Sequence, residues 1–439
     1  MEWQVLLLMF FGSMLILMVA GMPVAFSFLT VNVVFMYLFW GGSVGLGQLL
    51  ESLFTAVGSF TLLPVPLFLL MGEVMFRSGI APHMMDVLDK WLGRLPGRLG
   101  ILAVGGGTIF ATLSGASMAS VAMLGSVLVP EMETRGYKKP MSLGPILGSG
   151  GLAIMIPPSG LAVLLGAIGE ISVGRILIAI IVPGILMAVL YATYIILRCQ
   201  LQPSIAPAYE VITPPWSEKL LDALRYVLPL GLIFFLVVGL IFLGVATPSE
   251  AAATGALGTF ILAAVYGKFN WTLVKESVMG TVRVTVMVFM IIAGAMAFSQ
   301  IVAFSGASRA LVNFTLGLPL QPLFIVGAVL VVSLFLGMFI NLVAILMLTI
   351  PLFVPVIIAL GFDPIWFAVI FLLTLEMGAT SPPFGLALFV MKGVAPPGTT
   401  MGDCYKAALP FLGCDLIVLL MLLFYEPLVL WLPQLMRNL

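Results

Sequence analysis

Apolar residues along this chain fall into long blocks, without the alternation of a strand or the one-sided stripe of a surface helix. Near-continuous blocks run over 4–21, 23–40, 52–76, 173–197, 226–246, 249–267, 283–304 and 407–432. As helices, most are long enough for the roughly 30 Å hydrocarbon core of a bilayer, which takes about 20 residues. A helix apolar on every side must be enclosed by protein or lipid. The pattern predicts an all-α polytopic membrane protein with about ten crossings.

Four other apolar segments are interrupted. Residues 100–131 carry Ser114-Gly115-Ala116-Ser117 at their centre, and 320–358 centre on Gly337-Met338-Phe339-Ile340-Asn341. The first is too short for two full spans and too broken for one good helix. Its pattern predicts a re-entrant helical hairpin, two half-length helices meeting at a polar tip, which is stable at membrane depth only inside protein or beside water. The other two, 141–169 and 364–391, contain Pro157-Pro158-Ser159-Gly160 and Ser381-Pro382-Pro383. Paired prolines remove backbone donors and push the preceding residue out of helical geometry, so each segment should be a discontinuous helix.

These features recur. A shift of 225 residues carries Pro130 onto Pro355, Gly136 onto Gly361, Pro157-Pro158 onto Pro382-Pro383, Gly160 onto Gly385 and Ala162 onto Ala387. Several matches at one offset point to duplication. Charge supplies orientation. Arg94 and Arg98 precede the first hairpin and Arg135, Lys138 and Lys139 follow it, which places both its ends in the cytoplasm. Continuing the count puts about fifteen of the 18 Lys and Arg inside, Arg175, Arg309 and Arg437 outside, and both termini in the periplasm. The second hairpin then opens outward, making the halves inverted-topology repeats. Two amphipathic stretches, 79–93 and 270–282, read as arms along the interface.

Composition agrees with a membrane protein: 62% of the 439 residues are hydrophobic and 8% charged, against about a quarter charged in a soluble domain. The net charge of zero says nothing by itself about nucleic-acid or acidic partners, and no nucleic-acid partner is expected of a membrane-embedded chain. Neither a P-loop, nor H-E-x-x-H, nor a Cys/His pair is present, so the chain reads as no enzyme, with transport driven by an ion gradient.

Broken helices aim unpaired N–H groups at an anion and unpaired carbonyls at a cation, near the bilayer midplane where inverted repeats meet. Hard oxygen ligands suit sodium and no transition metal. The first sodium site comprises Ser114, Gly115, Ser117, Gly151, Pro157 and Ser159; the second comprises Gly337, Asn341, Thr380, Ser381 and Pro383. Solute would lie near Ser114, Pro158, Ser159, Asn341, Glu376, Ser381 and Pro382. Glu376 has two readings, a coupling or solute-controlling carboxyl and a structural hydrogen bond. Asp415 and Glu250 read as structural or interfacial, and His83 as an arm residue.

The stretches ATLSGASMASVAMLGSVLVPEM with GYKKP, IMIPPSGLAVLLGAIGEISVGRIL, ATPSEAAATGA, and GMFINLVAILMLTIPLFVPVIIALGFDP followed by TSPPFGLALFV resemble the large membrane subunit of tripartite ATP-independent periplasmic (TRAP) transporters over nearly the whole chain. The resemblance implies an elevator-type sodium symporter in a bacterial or archaeal inner membrane. It also implies a small four-helix membrane subunit and a periplasmic solute-binding protein that delivers an organic acid substrate. On that pattern, 1–99 are first scaffold helices and arm, and 100–170 the first half of the transport domain. Residues 171–319 are scaffold with a cytoplasmic linker at 198–225 and the second arm, 320–392 the second transport half, and 393–439 a C-terminal helix. One position departs: many relatives carry Asp where this chain has Asn341. A stand-alone carrier or exchanger of organic anions is the alternative.

Overall fold

The computed structural model describes residues 3–93, 95–114, 117–207 and 215–436, with side chains throughout except those of 81–82 and 110–114. The described residues form helices joined by short turns. In chain order they are α1 (Trp3–Val19), α2 (Val24–Phe39), α3 (Ser43–Val57), α4 (Pro64–Arg77), α5 (Ile80–Leu92), α6 (Arg98–Ser114), α7 (Ser117–Thr134), α8 (Lys139–Met155) and α9 (Gly160–Ile168). Next come α10 (Val173–Leu201), α11 (Trp216–Phe242) and α12 (Pro248–Val265). The remainder are α13 (Trp271–Phe304), α14 (Ala307–Leu316), α15 (Pro322–Phe339), α16 (Leu342–Ala359), α17 (Pro364–Thr380), α18 (Leu386–Val394), α19 (Met401–Phe424) and α20 (Pro427–Gln434). Among the described residues eight helices are long and apolar enough to cross a membrane, nine with the bent α8–α9 pair. This is a multi-pass membrane protein.

Both Pro-Pro steps break a helix. α8 and α9 meet at 42° across residues 156–159, and α17 gives way to α18 across 381–385. Each break contains a cis Pro-Pro bond. The turns after α7 and α16 also match. Gly136 and Gly361 both take positive φ, 81° and 85°, and in each the next residue's N–H reaches back to the helix, Tyr137 to Met132 and Phe362 to Ile357. That is a Schellman stop, which needs a left-handed residue just past the helix end and so favours glycine. Pro130 and Pro355 sit inside the preceding helices at the matching place.

Four expectations need correction. The paired helices are not half-length, since α6 has 17 residues and α7, α15 and α16 have 18 each. The block 52–76 is not one span, because the chain turns at Gly58-Ser59 between α3 and a 3-10 turn leading into α4. The block 407–432 likewise divides between α19 and α20. Residues 270–282 are not a separate arm: from Trp271 they are the first turns of the 34-residue α13. The short helix that matches arm α5 is α14. Each follows a Ser-Gly corner, Ser78-Gly79 and Ser305-Gly306, in which the serine Oγ donates to the carbonyl three residues back and the glycine is left-handed. Two charged residues on 270–282 resemble an interfacial stripe, but no capping or breaking residue separates them from the apolar run that follows.

Helices α2, α3, α4 and α12 pack on one another or on α13. The broken helices occupy a second group, in which α8 lies against α6, α7, α10, α17 and α19. Every described residue of α8 from Met141 to Met155, and of α17 from Ile365 to Thr380, is buried. Full burial explains why neither helix shows an apolar stripe in the sequence.

Candidate functional site

The site is built where the tips of two helix pairs approach the two breaks. α6 and α7 adjoin at 114–117; Gly115, and the side chain of Ser114, lie outside the described residues. Ser117 opens α7 and is buried. Its Oγ donates to Glu376 Oε1 at 2.9 Å, across a separation of 259 residues. Glu376 lies on α17 with 1% exposure, and its Oε2 has no hydrogen-bond partner among the described residues. Gly151 lets α8 pass beside it, since a Cβ there would stand 2.8 Å from Glu376 Cγ. The structure therefore joins two residues expected in the first site, Ser117 and Gly151, to a carboxyl from the other half of the chain.

Ser159 is buried and caps α9, accepting Ala162 N–H at 3.3 Å. Its hydroxyl serves that local bond, and Ser117 does not share it. Pro157 and Pro158 line an apolar cavity of about 380 Å³ with Met71 of α4, Ile181 of α10 and Phe234 of α11. The first break thus backs onto the neighbouring helix group, as a discontinuous backbone at membrane depth requires.

At the second break, Thr380 Oγ1 donates to the carbonyls of Glu376 and Met377 at 3.1 and 3.2 Å, and Ser381 Oγ donates to Met377 O at 2.6 Å. Both hydroxyls fold back on the end of their own helix, where the last carbonyls lack intrahelical donors. Each oxygen retains acceptor capacity. A Cβ on Gly385 would meet the carbonyl oxygens of Ala379 and Ser381 at 2.5 and 2.7 Å, so these carbonyls close around a position that only glycine fits. Pro382 is partly exposed, and the Pro383 carbonyl accepts Tyr405 Oη at 2.8 Å.

Asn341 is exposed and caps α16 through Oδ1, accepting Val343 N–H at 2.8 Å. Gly337 meets Gly378 of α17 so closely that a Cβ on Gly378 would come within 2.8 Å of Gly337 Cα. The Phe339 and Phe384 rings, both exposed, lie 5.0 Å apart and join the second tip to the second break. Gly378, Phe339, Phe384 and Tyr405 were not foreseen. The small residue at 378, two before Thr380, was a readable cue to close packing, whereas the aromatic contact and Tyr405 depend on segments distant in sequence.

The remaining charged residues take structural places. Asp415 on α19 is buried and accepts the Tyr191 hydroxyl. Glu250 closes a capping box with Thr247 at the start of α12. His83 lies on α5 with its ring 5.5 Å from that of Tyr226.

This arrangement has known relatives. The model of the family described as "Tripartite ATP-independent periplasmic transporter, DctM component" matches residues 11–428. The chain is 33% identical over 380 residues to the C4-dicarboxylate TRAP transporter large permease protein DctM of Pseudomonas aeruginosa, covering 86% of this chain and 87% of that one. It is 30% identical to the sialic acid TRAP transporter large permease protein SiaM of Vibrio cholerae, covering 95% and 96%. In fold it is similar to the YdaH transporter of Alcanivorax borkumensis, with TM-score 0.67 and 16% identity over 89% of this chain and 91% of that one. A match over nearly the whole chain places the protein in the DctM family: it is the large permease component of a TRAP transporter.

Proposed function

We propose that the chain is the permease of a sodium-coupled, binding-protein-dependent importer of small organic acid anions: carboxylates, keto acids or sulfonates. The observation that carries this reading is the packing of two helix pairs, α6–α7 and α15–α16, on two broken helices. One tip is tied by Ser117 to Glu376, and the other is packed through Gly337 on Gly378. The α6–α7 and α15–α16 pairs are read as re-entrant hairpins of inverted repeats, opening to opposite sides. With α8, α9, α17 and α18 they would form the domain that carries solute in an elevator motion against the group around α4, α12 and α13.

The relatives named above are a C4-dicarboxylate and a sialic acid permease, both named for acids. Basic side chains are missing from positions 114–117, 157–159, 337–341 and 380–383. An anion there would rely on the N–H groups of α9 and α18, on hydroxyls and on sodium. The oxygens of Ser117, Ser159, Asn341, Thr380 and Ser381, with the carbonyls of the breaks, are hard donors that fit sodium. Selection among solutes falls mainly to a periplasmic solute-binding protein, and a small four-helix membrane subunit completes the transporter.

Reconstitution with both partners tests this. Uptake of the receptor's ligand should require an inward sodium gradient and stop when potassium replaces sodium. Equal uptake in potassium would remove the coupling, and uptake by this chain alone would assign it as a stand-alone carrier.

A further inference from the structure

Glu376 is the one carboxyl at these tips and breaks, and only half of it is accounted for. Oε1 receives the Ser117 hydroxyl at 2.9 Å, while Oε2 on the same buried group has no partner among the described residues. Gly151 fixes the carboxyl from behind: a Cβ there would stand 2.8 Å from Cγ and 3.4 Å from Oε1. No ion pair among the described residues includes Glu376. The other buried carboxyl among the described residues, Asp415 on neighbouring α19, takes the Tyr191 hydroxyl and brings no positive charge.

A carboxylate withdrawn from water with one oxygen unanswered is unfavourable unless a proton or a cation neutralises it. Small hard cations prefer carboxylate, hydroxyl and carbonyl oxygens. The Ser117 oxygen keeps lone pairs after donating its proton, and the last carbonyls of α8 lack helical donors. We propose that Glu376 Oε2 is a ligand of the coupling sodium ion. A carboxylate from the second half would then hold an ion at the hairpin of the first. This rests on the sodium-coupled reading above and assigns to Glu376 the negative charge that Asn341 lacks. Bound sodium would neutralise Glu376 and tie α7 to α17.

Thermal unfolding of the purified protein, in sodium and in equal potassium, reads binding without transport. The wild type should show a sodium-specific rise in Tm, and Glu376→Gln should lose it. A rise that survives in E376Q overturns the proposal and leaves sodium coupling intact; absence of the rise in the wild type overturns both. Should E376Q fail to fold, infrared difference spectra of the wild type between the two salts decide. A shifted carboxylate stretching band supports ligation, and no carboxylate change overturns it.

Discussion

Gly337 and Gly378 show how much the second site depends on the absence of two methyl groups. Their backbones approach so closely that a Cβ on either lands under 3 Å from the other's Cα. Backbone cannot rotate aside as a side chain can, so the helices must separate. Gly378→Ala should cost about 1–3 kcal/mol of stability, the usual range for overpacking. It should also lower uptake, because displacing α15 from α17 moves the Asn341 tip away from the break. Thermal unfolding and transport of the variant check this, and an unchanged Tm would show that the helices yield freely. Ser159 and Asn341 illustrate another kind of economy: each is a helix cap in this structure and an oxygen donor in the proposed cycle.

Among the elements, α5 is held by charge. Lys90 Nζ reaches Asp222 at 2.5 Å and Glu218 at 3.1 Å on α11, and Arg98 Nε bonds Asp89 at 2.6 Å. The Trp91 and Trp216 rings add an edge contact at 5.7 Å. Hydrogen bonds from Asp222 and then Glu218 hold the Lys90 ammonium above the ordinary lysine range. The docked form therefore binds the proton more tightly. The strap is fully present below lysine's ordinary pKa, about 10.4, and is lost as pH rises through the higher docked value. Spin labels at Asp86 and Lys219 should report a narrow distance distribution at neutral pH. It should broaden in strong alkali, at high salt, or with Lys90→Gln. A distribution unmoved by all three would show that the aromatic contact alone holds the arm.

At the scale of the molecule, the repeated order of helix, Ser-Gly corner, short helix, helix pair and broken helix accounts for the packing of both sites. An inverted relation between the halves predicts opposite access. In oriented vesicles, a single cysteine at Thr134, the last residue of α7, should react with an impermeant thiol reagent from the cytoplasmic side. One at Leu320, before α15, should react from the periplasmic side. The native Cys199, Cys404 and Cys414 are buried and give a quiet background. Labelling of both positions from one side would rule the inversion out.

Membrane class, the two breaks, the repeat that pairs Gly136 with Gly361 and the family were all legible in the sequence. Each rests on local rules: apolar length, proline and glycine geometry, and motifs read along the chain. The cap of α16 at Asn341 follows an equally local rule, but the sequence reading took that residue as an ion ligand. The pairing of Ser117 with Glu376, the Gly337–Gly378 approach, the Phe339–Phe384 contact and the match of α14 with α5 were decided by tertiary structure alone. Fully buried helices such as α8 and α17 carry no amphipathic stripe to say which neighbour each side chain meets. A lone acidic residue in an apolar run reads the same whether it faces solute, ion or serine. Only packing brought Glu376 against Ser117 at the start of α7 and left one of its oxygens without a partner among the described residues.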